Sequence, residues 1–415
     1  MKTRRLLIPV AAATALVLAA CGGGGGDAGA DSNQVRFYHD KAQWEEQFGA
    51  IADLTLESND IDLEVVGYAD DAAYDSFIRS SFLTDERPDL FTWHTGGPLA
   101  ELVEEGLVAQ SDEIWDEAIE AGDVPADMRT SFEIDGATYC VPLLSDYWVM
   151  YYNVEIFDSY GFAPPQTWAE MVEIADALVA DGQTPFNLPG SIFSFTWFQQ
   201  LMIGMYPDVY DELATGEASY TDPEVVEVME YWQEMMAAGY MTEPGIEIGP
   251  QEMLRDGVVA MIPIGAWFHG PLSGLELTSG EDFGTFIIPN VDPSLDQTSV
   301  VVELGPLCMA ANAPNPERAA EFQRWWMAPE AQAEFTTARS GMSYNPAAGS
   351  TDEQLTEISE TIAADHRIHT RYLEANPPPV ATVAMEQFDA FMADPGDPMP
   401  YLELIQQAQE DYWAQ

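Results

Sequence analysis

The sequence predicts an α/β protein with two lobes. Short apolar runs alternate with helical patterns along its first part, and this alternation is typical of strand–helix–strand units in a largely parallel sheet. About 380 residues follow an N-terminal leader, which is more than one hydrophobic core usually supports. We therefore expect the folded part of the chain to divide into two lobes.

Individual strands and helices follow from the local pattern. Residues 35–38, 63–66 and 88–93 are short apolar runs, and each predicts a strand. Helices are predicted at 75–83 and 98–105, after the second and third of these strands. The loops that follow strands of a parallel sheet are the usual ligand-binding positions of α/β proteins.

Capping residues mark the later helices. Thr167 and Glu170 match the two ends of a capping box. Pro223 and Pro316 fit the first turn of a helix, where proline is favoured. By contrast, the three successive prolines within 375–380 predict an extended connector before a last helical region.

The first residues predict export from the cell. Three positive charges precede the apolar run 6–20, whose 15 residues are too few for a membrane-spanning helix, which needs about 20. Residues 1–20 are therefore expected to be a lipoprotein signal peptide, because residues 18–21 resemble the bacterial lipobox. The lipobox resemblance implies a lipid anchor on Cys21 and a location at the extracellular face of the bacterial cell membrane. The alternative is an ordinary signal peptide that happens to contain a cysteine. The glycine-rich segment 21–33 is expected to be a flexible tether.

The composition is strongly acidic. The chain carries 71 acidic and 14 basic residues, a formal net charge of −57. Without residues 1–20, which hold three of the basic residues, 11 basic residues face 71 acidic ones and the net charge is −60. Such a surface repels nucleic acid and anionic lipid, so neither is an expected partner. The acidic residues recur on amphipathic helices, which indicates solvated faces and resembles salt-adapted proteins.

An ordered set of short motifs carries a family likeness. The motifs are 88–91 with Gly96-Gly97, Asp135-Gly136-Ala137-Thr138-Tyr139-Cys140-Val141-Pro142, Tyr151-Tyr152-Asn153, Pro164-Pro165-Gln166-Thr167-Trp168, 260–267 and 305–310. Together they resemble the family 1 extracellular solute-binding proteins of the maltose-binding type. The resemblance spans nearly the whole chain after the tether.

The resemblance implies a two-lobed fold of the periplasmic-binding-protein type, class II, with a ligand cleft between the lobes. Strands at 139–144 and 305–310 would cross a hinge. The lobes that it implies are 34–141 plus 309–346 for lobe 1 and 142–308 plus 347–415 for lobe 2. It further implies that the chain captures a mono- or oligosaccharide by hinge closure and delivers it to the permease of an ABC importer. A monomer without cofactor, metal or catalytic residues is expected, and no enzyme activity.

A sugar offers an apolar C–H face and a rim of hydroxyl groups. Aromatic rings suit the face, and carboxylates or other polar groups suit the rim. Strand ends and the family likeness together single out ten candidate sugar-binding residues: His39, Asp40, Lys41, Trp93, His94, Asp146, Trp148, Trp197, Trp267 and Glu303. Among them, Trp93 of lobe 1 and both Trp197 and Trp267 of lobe 2 are expected to form a stacking platform.

Other residues are expected to be structural. Trp168, Trp232 and Trp326 lie on apolar helical stripes, which indicates core packing. Of the three cysteines, Cys140 and Cys308 fall on strands that the family resemblance places side by side, so a disulfide between them is expected in an oxidising compartment. Two buried free cysteines are the alternative.

Two other functional classes remain as alternatives. The first is a solute-binding protein for a polyamine, a peptide or a metal; His366 and His369 beside Asp365 could share a helical face, which is a weak metal signal. The second is a secreted glycoside hydrolase with a carboxylate pair. With 71 acidic residues, however, a carboxylate pair arises by chance.

Overall fold

The computed structural model describes residues 33–69, 71–84, 87–350 and 352–414. The predicted signal peptide, the lipid anchor at Cys21 and residues 21–32 of the predicted tether lie outside the described residues. Of the helices that the described residues form, none combines the length and the apolar character that crossing a membrane would require.

The strands form two main sheets and one short hairpin. In chain order they are β1 Gln34–His39, β2 Asp62–Gly67, β3 Leu90–Thr92, β4 Glu133–Ile134, β5 Ala137–Thr138, β6 Val141–Pro142, β7 Asp146–Asn153, β8 Thr184–Phe186, β9 Val259–Gly265, β10 Phe283–Phe286, β11 Thr298–Glu303, β12 Pro306–Met309 and β13 His366–Thr370. The hairpin is the antiparallel pair of β4 and β5.

The first sheet has the strand order β2-β1-β3-β12-β6. As predicted, β1 runs parallel to both β2 and β3. β12 runs antiparallel to β3 and to β6. The carboxyl ends of β1 and β3 therefore lie at the same edge as the start of β12.

The second sheet has the order β13-β11-β7-β9-β8, with β10 also paired to β7. β11 is parallel to β13 and β8 to β9, but β7 is antiparallel to β9, β10 and β11. This sheet is mixed rather than largely parallel. The reason is that the chain passes directly from β6 of the first sheet into β7, so β7 begins at the edge where β9 and β11 end. The chain returns to the first sheet between β11 and β12, and the predicted lobe boundaries near these passages stay a prediction.

Helices cover both sheets. They are α1 Glu45–Asn59, α2 Asp71–Ser81, α3 Gly97–Glu104, α4 Asp112–Ala121, α5 Val154–Tyr160, α6 Trp168–Ala180, α7 Thr196–Met205, α8 Pro207–Thr215, α9 Pro223–Ala237, α10 Pro250–Arg255, α11 His269–Gly274, α12 Pro316–Met327, α13 Pro329–Arg339, α14 Glu353–Asp365, α15 Tyr372–Ala375, α16 Pro378–Ala393 and α17 Met399–Trp413. Short 3-10 helices occur at Ala42–Trp44, Ala126–Phe132, Ser191–Phe193 and Ala266–Phe268.

The helix starts follow the predicted capping chemistry with one exception. Thr167 and Glu170 form both hydrogen bonds of the capping box at the start of α6. α9 and α12 begin at prolines, as expected. The connector predicted at 375–380 is wrong, because Pro378 begins α16. A proline in the first helical turn loses no hydrogen bond, since that N–H has no partner within the helix.

Each main sheet has its own hydrophobic core. In the first core, Phe48 of α1 stacks on Phe335 of α13 with ring centroids 5.3 Å apart. In the second core, Phe198 of α7 stacks on Phe388 of α16 at 4.5 Å. The side chains of the three tryptophans predicted to be structural are buried: Trp168, Trp232 and Trp326.

A disulfide bond joins Cys140 to Cys308. Cys140 immediately precedes β6, and Cys308 lies on β12, the neighbouring strand. Both side chains are fully buried in the first core. The bond therefore fastens together the two segments through which the chain leaves and re-enters the first sheet.

Candidate ligand-binding site

Charged side chains gather where the edges of the two sheets face each other. On the first-sheet side, Asp40 and Lys41 follow β1, and His94 follows β3. On the second-sheet side, Glu303 ends β11, and Arg371 directly follows β13. Lys41 interacts electrostatically with both Glu303 and Arg371. Gly96, two residues after His94, lies against the main chain of Glu374, so the two sides are in contact. The charged cluster, as we call this group, comprises Asp40, Lys41, His94, Glu303, Arg371 and Glu374.

Asp40 is held by a hydroxyl group and an ammonium group. Thr92 Oγ1 donates to Asp40 Oδ1 at 2.7 Å, and Lys41 Nζ lies 2.5 Å from Oδ2. Burial alone would raise the pKa of Asp40, but the charges of Lys41 and His94 and the hydrogen bonds lower it to about 2. Asp40 is therefore an anion at neutral pH and can accept hydrogen bonds from a bound hydroxyl group.

Arg371 bridges two carboxylates on the second-sheet side. Its Nη1 lies 2.9 Å from Glu303 Oε2, while its Nε and Nη2 donate to Glu374 at 2.9 and 2.8 Å. Trp267 Nε1 donates to the same oxygen of Glu303 at 3.1 Å. Burial raises the pKa of Glu374 to about 7, even though Arg371 and Lys41 oppose this shift. Glu374 is thus divided between its acid and its anion near neutral pH.

The two histidines of the first-sheet side are neutral at physiological pH but differ in position. Burial lowers the pKa of His94 in the cluster to about 4. Burial likewise lowers the pKa of His39 to about 4. His39 is fully buried and packs 4.5 Å from the ring of Phe48, and its Nδ1 accepts a hydrogen bond from the Lys41 backbone N–H at 3.2 Å. The structure therefore places His39 behind the cluster, where it supports the loop of Lys41.

A row of aromatic rings borders the cluster on the second-sheet side. Trp267 is partly exposed and stacks on Phe193, with ring centroids 5.9 Å apart and an interplanar angle of 29°. Phe193 in turn lies 6.1 Å from Trp148, which is 3% exposed. The Trp148 indole N–H is buried without a hydrogen-bond partner among the described residues. Trp267 thus presents an aromatic face beside the carboxylate of Glu303.

The three tryptophans of the predicted stacking platform belong to, or pack against, different hydrophobic cores: Trp93, Trp197 and Trp267. Trp93 is 4% exposed, belongs to the first core and donates to the carbonyl oxygen of Pro98 at 3.0 Å. Trp197 is fully buried in the second core and donates to the carbonyl oxygen of Asn187 at 2.9 Å. Both rings are buried and both indole N–H groups donate to main-chain acceptors, and their stacking on a ligand stays a prediction.

Asp146 lies in a buried ion pair next to the site. Arg339 Nη1 is 2.6 Å from Asp146 Oδ2, and the two side chains are 2% and 0% exposed. The guanidinium group of Arg339 also lies over the rings of Trp44 and Phe335, 5.1 and 5.3 Å from their centroids. Since Asp146 begins β7 and Arg339 ends α13, the pair links the second sheet to a helix of the first core.

Sequence reasoning missed Arg371, Glu374 and Phe193. The alternation of β13 is weak, because the strand reads His-Arg-Ile-His-Thr, so the residues after it were not recognised as a strand-end loop. The small number of basic residues was the available signal for Arg371. With only 11 basic residues after position 20, each arginine is a candidate partner for a buried carboxylate. Phe193 lies four residues before Trp197, which was predicted to bind the sugar.

The described residues give no support to a metal site. Among them, no group of three or more His, Cys, Asp or Glu side chains is arranged to hold a metal ion. His366 and His369 lie on a strand, so they do not share a helical face. His369 Nδ1 instead lies 2.8 Å from a carboxylate oxygen of Asp211. Two surface cavities of about 590 and 460 Å³ lie along α14, away from the charged cluster.

The sequence matches the bacterial extracellular solute-binding protein family over residues 49–366, which is well over half of the chain. This chain belongs to that family. Membership confirms the predicted resemblance, and it places the protein among binding proteins that act outside the cytoplasm. The charged cluster and Trp267 are therefore parts of a solute-binding protein.

One curated relative is similar over part of this family member. It is an uncharacterized ABC transporter extracellular-binding protein of Pyrococcus horikoshii, 25% identical over 224 residues. The matched stretch covers 51% of this chain and 49% of the relative. The chain therefore spans about half the length of this relative.

Solved structures resemble this solute-binding protein over nearly its whole length. The bacterial solute receptor AcbH, described as having an exclusive preference for β-D-galactopyranose, superposes with a TM-score of 0.79 at 19% identity, covering 92% of this chain and 98% of AcbH. A chitin oligosaccharide binding protein superposes with a TM-score of 0.78 at 18% identity, covering 91% and 98%. These likenesses confirm the predicted two-lobed α/β fold.

Proposed function

We propose that this protein is the substrate-binding component of an ABC importer and captures a sugar at the charged cluster. Family membership and the sugar ligands named for the similar structures support this proposal. The single observation that carries it is the contact of Trp267 with Glu303 beside the buried, fully paired charges. An aromatic face next to several hydrogen-bonding groups suits the two faces of a sugar.

Each group of the cluster has a role in this proposal. The ring of Trp267 stacks on the C–H face of the sugar. Asp40 and Glu303 accept hydrogen bonds from its hydroxyl groups, whereas Lys41 and Arg371 donate to its oxygens. These side chains are already held by partners, so binding orders few additional rotamers. In this proposal the protein binds its ligand and does not convert it chemically.

Hinge closure would bring the two sides onto the ligand. The chain passes between the sheets at 142–146 and 303–306, and short passages of this kind can absorb a change in backbone angles. Asp40 and Lys41 then approach from one side, and Trp267 and Arg371 approach from the other. The protein acts as a monomer, and its closed form delivers the sugar to the membrane permease.

The lipid anchor at Cys21 is part of the same proposal. The lipobox-like residues 18–21 and the family's extracellular role support it. An anchored protein would stay near its permease while its folded part moved on the glycine-rich tether. Cys21→Ser should release the protein from the membrane fraction into the medium, and an unchanged membrane fraction would refute the anchor.

Binding measurements on Trp267→Ala test the sugar site. Losing one stacked ring costs about 1 to 3 kcal/mol of binding, or roughly ten- to a hundredfold in affinity. Because Trp267 is partly exposed, the melting temperature without ligand should stay within a few degrees of wild type. The matched control is Trp413→Ala, since Trp413 is 51% exposed on α17 and should leave affinity unchanged.

A calorimetric screen of sugars, polyamines, short peptides and metal ions identifies the ligand class. We expect sugars alone to bind the wild-type protein tightly and to bind Trp267→Ala weakly. Undiminished sugar binding by a folded Trp267→Ala variant would remove this residue from the site. Tight binding of a polyamine, a peptide or a metal would replace the sugar assignment.

A further inference from the structure

At each end of the surface on which the two sheets face each other, a glycine allows two main-chain segments to come into contact. At one end, Gly96 before α3 lies against Glu374 of α15. A Cβ atom at Gly96 would collide with the carbonyl oxygen of Glu374, and one at Gly97 would come within 3.3 Å of Pro377 Cα. The two main chains are therefore in direct contact at this end, and no side chain fits between them.

The other end is closed in the same way. A Cβ atom at Gly270 in α11 would come within 2.8 Å of the carbonyl oxygen of Arg339, at the end of α13. The same Arg339 forms the buried ion pair with Asp146. Admitting part of a ligand here would separate main chains in contact and expose or split this pair, which is costly once the partners are desolvated.

Pairings of side chains connect the two contacts through the charged cluster. Arg371 pairs with both Glu374 and Glu303, Glu303 lies opposite Asp146 on the neighbouring strand, and Asp146 pairs with Arg339. His94 is two residues before Gly96, and Glu374 belongs to both the cluster and the contact. Trp267 is three residues before Gly270. A ligand held by Trp267 and the cluster therefore lies between the two main-chain contacts.

We propose that the closed site accepts a single sugar ring and excludes oligosaccharides. This inference rests on the proposed function and narrows its ligand to monosaccharides. A ring extended by a glycosidic bond would need the space that the Gly96–Glu374 or the Gly270–Arg339 contact occupies. Its binding would keep one end open and forfeit the contacts of closure.

Calorimetry on the full-length protein tests the size limit. The probes are hexoses, pentoses and amino sugars, each beside its own di- and trisaccharide. We expect at least one monosaccharide to bind with one-to-one stoichiometry and every trisaccharide to bind at least a hundredfold more weakly. A trisaccharide that bound as tightly as its monosaccharide would overturn the size limit and leave the sugar-binding function standing. Absence of binding by sugars of every length would instead refute the proposed function itself.

Two alanine substitutions in α11 test the closing contact directly. Gly270 meets the carbonyl oxygen of Arg339, whereas a Cβ atom at Gly274 would meet nothing within 4 Å. Both substitutions raise helix propensity, so this effect cancels between them. We expect Gly270→Ala to weaken monosaccharide binding at least tenfold and Gly274→Ala to leave it within twofold of wild type.

The ligand-free melting temperature shows that each variant is folded. Gly97→Ala, at the opposite end, provides a second variant should Gly270→Ala prove unstable, and the same weakening is expected. Equal affinities of folded Gly270→Ala, Gly97→Ala and Gly274→Ala would show that neither end closes around the ligand and would overturn the proposal.

Discussion

Buried carboxylates between the two sheets are paired with cations, whereas most carboxylates of the outer surface face water. After residue 20 the chain has only 11 basic residues against 71 acidic ones. Three of the 11, Lys41, Arg339 and Arg371, are buried or largely buried between the sheets, and each contacts a carboxylate. A carboxylate without a partner costs most in the interior, whereas water solvates one at the surface. Three of the scarce cations therefore lie where they neutralise buried acids.

Arginines at the surface make similar contacts with less consequence. Arg367 on β13 pairs with Asp208 and Asp211, but its side chain is 34% exposed, and theirs are 79% and 48% exposed. Ion pairs of this kind contribute about 0 to 1 kcal/mol. Arg371, four residues later, is held by Glu303 and Glu374 and is only 10% exposed. The two arginines offer a matched comparison between surface and interior.

The largest expected effect is the loss of Arg371. Arg371→Met keeps much of the side-chain volume but leaves Glu303 and Glu374 buried without their cation. We expect the free energy of unfolding to fall by about 3 to 5 kcal/mol, because an unpaired buried charge is costly. Arg367→Met should lower it by at most about 1 kcal/mol. Urea unfolding at pH 7.5 measures both, and equal losses would show that buried and surface pairs do not differ.

A smaller effect concerns acid and the buried His39. Its folded pKa of about 4 lies below the ordinary value of 6.5, so the unfolded chain takes up a proton that the folded chain does not. The resulting stability is complete above pH 6.5 and is lost as the pH falls towards 4, by about 3 kcal/mol. His94 acts in the same direction, whereas the raised pKa of Glu374 favours the folded state at lower pH.

His39→Gln isolates the histidine contribution, because the other groups are common to both proteins. The difference in unfolding free energy between variant and wild type, measured in urea at pH 8, gives the cost of the substitution without titration. We expect that difference to shrink steadily between pH 6.5 and 4. A constant difference over this range would mean that His39 does not titrate between the folded and unfolded states as inferred.

Local features of this fold could be predicted from the sequence because they depend on neighbouring residues. The three strands before Trp93, the capping box at Thr167 and the proline starts of α9 and α12 are all set within a few positions. Family membership followed from the order of motifs along the chain. None of these predictions required knowledge of which distant segments meet.

The site itself depends on contacts between distant segments, and the sequence was less informative about these contacts. Trp197 and Trp267 both stand in short aromatic segments, yet one is fully buried and the other partly exposed. α7 carries no charged residue and is buried from Thr196 to Gly204, whereas Trp267 follows the small residues Gly265 and Ala266. A helix without a charged face is typical of a buried helix. Arg371 and Glu374 join the site only because β13 pairs with β11. The paired residues are 68 positions apart in the sequence, and no local pattern indicates this pairing.

The smallest expected effect concerns the outer surface. A net charge of −60 after residue 20 repels itself, and added salt screens that repulsion. The buried pairs are screened much less, so the interior should contribute little to the response. We expect the melting temperature to rise by about 2 to 5 °C between 0.05 and 1 M NaCl, which corresponds to roughly 1 kcal/mol.

Sodium sulfate at matched ionic strength separates screening from solute exclusion. Screening predicts equal rises in melting temperature in the two salts at low ionic strength, and exclusion predicts a larger rise in sulfate. Arg371→Met and the wild type should show the same slope with salt, because they differ in the interior and share the surface. A flat or falling melting temperature in the wild type would show that surface repulsion does not limit stability.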